Sequence, residues 1–100
     1  MAKGISFKFS NKVFVYPGAG GWHFVTLSKK DSKTLSKLKT VKKGAWGYIP
    51  ITATIGKTSW DTGLWPQKES GLYLLSIKAS VREKEAIFEG DTVRGSVEIR

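Results

Sequence analysis

His23 is the chain's single histidine, and imidazole is the side chain best suited to proton transfer near neutral pH. Such work needs an orienting partner and access to a reacting group. His23 sits between Trp22 and Phe24 with no carboxylate near it in sequence, so a packed or hydrogen-bonded structural histidine is the expectation. Cysteine is absent, which excludes thiolate nucleophiles, disulfide frameworks and zinc ribbons. Asp61 and Asp91 are the acids whose settings invite a role. Asp91 follows Gly90 at a turn, where aspartate commonly bonds its own backbone two residues on. Asp61, beside Trp60, is placed to pair with a lysine across a hairpin ladder. Gly18, Gly20 and Gly21 have a phosphate-loop flavour, but a strand follows them instead of the helix whose N-terminus would hold the anion. No nucleophile, base and stabiliser converge, so a binding module is favoured over an enzyme, and no catalytic residue, metal or cofactor is implied.

Binding chemistry is better represented. The formal net charge is +9, and its distribution is uneven. Residues 29–43 hold seven lysines against Asp31 alone, whereas 44–100 balance seven bases with seven acids. Lys33, Lys37, Lys39, Lys42 and Lys43 are therefore candidates for weak, sequence-independent contact with nucleic acid or another polyanion. The alternative is that they solvate a helix face and keep the protein monomeric. Of the four tryptophans, most are expected to fill the interior; Trp46 and Trp65, beside glycine and proline in loops, are the ones expected at the surface. Trp46, Trp65 and Arg82 are candidate ligand or partner contacts. For Arg82 the competing reading is a salt bridge to Glu83, Glu85 or Glu89.

The elements that must position these residues follow from periodicity. Ile5 to Tyr16 alternates apolar and polar residues as a half-buried strand does, and Trp22 to Leu27 is apolar on both faces, as in a strand covered on both sides. A helix starting near Asp31 or Ser32 carries Leu35, Leu38 and Val41 as its apolar stripe and ends at Gly44. Pro50 argues for a strand edge or bulge. Ile51 to Ile55, Gly56-Lys57 and Thr58 to Thr62 make a two-residue hairpin with glycine where a type II′ turn requires it. Leu72 to Lys78 and Thr92 to Ile99 are further strands, and Val81 to Phe88 makes a turn or two of helix stopped by Gly90. The expectation is one mainly β domain spanning residues 1–100: about six strands and one principal α-helix, arranged as a small barrel whose closure removes exposed edges. Lys3 and Lys8 interrupt the first ten residues and no apolar run reaches spanning length, so a cytoplasmic, membrane-free setting is expected.

With those segments laid out, the chain resembles DUF1905, a bacterial family of unknown function. The resemblance runs through Gly21 to Leu27, Gly47 to Gly56, Leu72 to Leu75, Val81-Arg82 and Glu89 to Val93. It implies a small double-split β-barrel, distantly similar in shape to AbrB-type swapped-hairpin proteins, and it implies no activity. DNA recognition in the AbrB manner would follow from fold analogy alone, which is a weak warrant.

Overall fold

The computed structural model describes residues 5–15, 21–37 and 47–100. In chain order the elements are β1 (Ser6–Lys12), β2 (Phe14–Val15), β3 (His23–Thr26), α1 (Lys29–Lys37), β4 (Ile49–Ile55), β5 (Thr58–Pro66), β6 (Tyr73–Ser76), α2 (Ala79–Glu85) and β7 (Thr92–Ile99). The strands form one antiparallel sheet in the order β1-β7-β4-β5-β6-β3-β2. The mainly β, barrel-like architecture agrees with the sequence, with one more strand than expected, and the turn or two of helix expected from Val81 is present as α2, starting at Ala79.

The extra strand comes from a bend at Val13. Residues 6–12 pair with β7 at one edge of the sheet, and Phe14 and Val15 pair with β3 at the other. Val13 pairs with neither: its N–H donates to Asp91 O at 2.9 Å and its carbonyl accepts from Gly90 N at 2.8 Å. One N-terminal run thus serves both edges and curls the sheet nearly closed. Asn11 fastens the seam, with Nδ2 donating to both the carbonyl and the hydroxyl oxygen of Thr26 at 3.1 Å.

The alternation seen in sequence becomes an inside and an outside. Ile49, Ile51, Ala53 and Ile55 of β4 are buried and lie opposite Leu64, Thr62, Trp60 and Thr58 of β5. Val25, Leu75, Val97 and Ile99 complete a continuous apolar core with Leu27, Leu35 and Val81. Burying such side chains is worth about 1.5–3 kcal/mol each, the main favourable term for a domain this small. Pro50 is not at an edge strand or bulge: it pairs with Gly63 in the β4–β5 ladder. Its carbonyl accepts from the Arg100 N–H at 3.2 Å on the β7 side, so its missing N–H faces that side just before Ile51, where the paired register with β7 begins. The Gly56-Lys57 turn is as expected: Ile55 pairs with Thr58, and φ is +59° at Gly56 but not positive at Lys57, which is type II′.

Several details depart from the sequence reading. The first helix begins at Lys29, because the Ser28 hydroxyl accepts from the Asp31 N–H at 3.0 Å and is the cap. Ser32 is buried and accepts from the Tyr73 N–H at 3.0 Å, docking α1 on β6. Leu38, Val41 and Gly44, assigned to this helix from sequence, lie outside the described residues, as do Gly18 and Gly20. The second helix stops at Ala86, four residues before Gly90. β3 is not covered on both faces: Val25 is buried, but Trp22, just before the strand, is 57% exposed instead of filling the interior. Trp65 is exposed at 43%, as anticipated, yet it lies on β5 and not in a loop. Among the described residues no helix is long and apolar enough to cross a membrane.

Candidate functional site

β3 and β6 run antiparallel, which brings the start of one beside the end of the other. The pairing continues past the strand ends, with Ile77 N–H donating to His23 O at 2.9 Å. From Ile77 the chain turns through Lys78 into α2, whose buried Val81 anchors it to the core and aims the next residue, Arg82, back toward His23. Residues 59 positions apart in sequence are thereby joined.

The connection is a relay of hydrogen bonds. His23 Nδ1 lies 2.6 Å from Gly21 O, and because a carbonyl oxygen only accepts, Nδ1 carries the proton. Nε2 is then an acceptor, and Arg82 Nη1 donates to it at 3.4 Å. Arg82 Nε donates to Ile77 O at 3.1 Å. The guanidinium is therefore fixed through two of its five N–H donors, leaving three for other partners. The salt bridges anticipated for Arg82 do not form. Glu85 instead accepts from the Thr58 hydroxyl at 2.6 Å, and the ion pair found among the described residues is Arg100–Asp61, exposed and 3.8 Å long.

Two shallow cavities meet at His23, Ala79 and Arg82. One, of about 220 Å³, lies toward Gly21, Trp22, Ile77 and Lys78. The other, of about 350 Å³, lies toward Glu83, Ile87, Phe88 and Glu89. Charge is split across the shared wall, with Lys78 on the first side and the two glutamates on the second. The lips are apolar: Trp22, stacked on Phe24 at 6.1 Å and 16°, and Phe88, 68% exposed. Phe88 is held there by Asp91, whose carboxylate accepts from the Phe88 N–H at 2.9 Å. That is a local backbone bond, but it reaches back three residues instead of forward two.

The lone pair of His23 Nε2 is engaged by Arg82, so it is not poised to take a proton from a substrate. Ser76 lines the first cavity but no hydrogen bond links it to His23, and no group of metal-ligating side chains occurs among the described residues.

His23, weighed from sequence as a structural residue, lines both cavities, and of the described residues offered from sequence as ligand, partner or polyanion contacts Arg82 alone does so. Trp65 packs against Tyr48 on the outer face of β5, ring centroids 4.6 Å apart, where Gly63 leaves room for the Tyr48 ring. Lys33 and Lys37 lie on the exposed side of α1. Lys39, Lys42, Lys43 and Trp46 lie outside the described residues. Sequence reasoning missed Trp22, Lys78 and Phe88; the signal that finds them is the antiparallel pairing of β3 with β6, which periodicity does not reveal.

Comparison with curated proteins and with solved structures returns no match. Residues 9–97 do match a family profile, and that span takes in both helices, β7 as far as Val97 and every residue named around His23 and Arg82. The chain belongs to the family of that profile, a domain of unknown function designated DUF1905.

Proposed function

We propose that this domain is a non-catalytic binding module whose cleft takes a small anionic group on Arg82. The supporting observation is the state of that guanidinium: it is held by Ile77 O and His23 Nε2, paired with no carboxylate, and lines both cavities. A fixed fork of N–H donors meets carboxylate and phosphate oxygens in pairs, and little side-chain entropy is lost because the arginine is already ordered. Titrating isotope-labelled protein with acetate and with inorganic phosphate at low ionic strength is the test. Shifts are expected to concentrate on the Arg82 Nε–H, the His23 ring and the Lys78 amide, and to vanish in folded Arg82→Gln. Shifts centred elsewhere overturn the reading.

A second reading rests on a separate observation. Lys29, Lys33 and Lys37 recur every four residues along one exposed side of α1, and none is in an ion pair. Such a row suits weak, salt-sensitive contact with a polyanion such as duplex DNA, to which Lys39, Lys42 and Lys43 would add charge.

A further inference from the structure

We infer that the ligand of the Arg82 cleft is a small aromatic monocarboxylate, its carboxylate on the guanidinium and its ring against the Trp22 indole. The inference rests on the anion-site reading above and narrows it by charge, by shape and by size.

Charge comes first. Arg82 lines both cavities, with Lys78 on one side and Glu83 and Glu89 on the other, so two cations and two carboxylates surround the shared wall. A single negative charge is matched by the Arg82 fork, whereas a phosphate dianion brings a second charge into the range of the glutamates, where like charges repel. Shape follows from Trp22. Its ring is backed by Phe24 in a near-parallel stack, yet 57% of the residue stays accessible beside the cavity. A large indole held in place on one side and left open on the other is a stacking platform for a planar group. Size sets the limit. The cavity beside Trp22, about 220 Å³, falls below the roughly 300 Å³ at which sites for drug-sized ligands begin, so it suits one ring and not a nucleotide.

Titration of the folded protein with benzoate, phenylacetate, cyclohexanecarboxylate, phenyl phosphate and acetate, read by tryptophan fluorescence and by the Arg82 Nε–H resonance, separates the possibilities. Benzoate or phenylacetate is expected to bind most tightly, with cyclohexanecarboxylate weaker by about three- to tenfold for want of a π-face. Trp22→Ala should weaken the aromatic acids by the same factor and leave the acetate shift at Arg82 unchanged, while Trp22→Phe restores affinity. Arg82→Gln should weaken them about tenfold or more, and Arg82→Lys, which keeps charge but loses the fork, should fall between. Near-ultraviolet circular dichroism establishes that each variant is folded. Equal affinity for the cyclohexane analogue, tighter binding of phenyl phosphate, or full retention in Trp22→Ala overturns this inference while acetate at Arg82 keeps the anion site standing. If neither acetate nor any aromatic acid moves the Arg82 resonance, both readings fall.

Discussion

Ala86 carries φ +53° and ψ +52°, the left-handed region, at the C-terminal end of α2. Its neighbour closes the helix: Ile87 N–H reaches Arg82 O at 2.9 Å, so this conformation also fixes the backbone of Arg82. A left-handed alanine costs about 1 kcal/mol that glycine avoids. Ala86→Gly is therefore expected to stabilise the domain by about 0.5–1 kcal/mol, seen as a higher denaturant midpoint with an unchanged slope. A lower midpoint would mean that the alanine methyl packs in a way that outweighs the strain. At this scale the sequence was only partly informative. The glycine of the II′ turn was legible because its requirement is local, and that site is doubly constrained, since a Cβ at Gly56 would fall on the Glu85 carboxylate. The His23–Arg82 pair was not legible, because its two halves approach only after β3 and β6 have paired.

Among the elements, α1 shows how a helix divides its labour. Ser32 and Leu35 face the barrel and are buried, while Lys29, Lys33 and Lys37 stay in water. If those three lysines contact phosphates, they contribute about −3 to the slope of log affinity for random-sequence duplex DNA against log salt. Replacing all three with glutamine should weaken retention at low salt and make the slope shallower by about 3, without altering the thermal midpoint, because each is exposed and unpaired. Binding that the replacement leaves unchanged, or a slope near zero, removes α1 as a polyanion surface. The charge of this segment was plain in the sequence, but the start of the helix was not. Ser28 precedes a pair of lysines, so the apolar rhythm that marks the helix begins only at Leu35, and the cap was placed three or four residues late. The first strand was misjudged for a related reason. Ile5, Phe7, Phe9, Val13 and Val15 keep one parity across the bend, and although Asn11 and Phe14 break the alternation, they do not show that its hydrogen-bond partners change at Val13.

For the whole molecule, stability in alkali should depend on Tyr73. It is buried against the core, and that burial pushes its phenol above the ordinary value of 10.0 by disfavouring the phenolate. The folded protein therefore holds this proton more tightly than the unfolded chain does. Its contribution is complete below pH 10 and is lost as pH rises through the elevated folded value. Thermal midpoints of wild type and Tyr73→Phe should accordingly converge, or cross in favour of phenylalanine, between neutral pH and pH above 10. Parallel curves would show that the phenol does not titrate differently on folding. The bend at Val13 has a consequence of another kind, in the order of biosynthesis. Partners in the β1–β7 ladder are 80 residues apart at Lys12 and Thr92 and 92 apart at Ser6 and Glu98. At a synthesis rate of about 5–20 residues per second, the nascent chain waits several seconds or longer with its first strand unmatched. Only when β7 emerges can residues 6–15 join both edges, so the barrel is sealed by its first and last strands together.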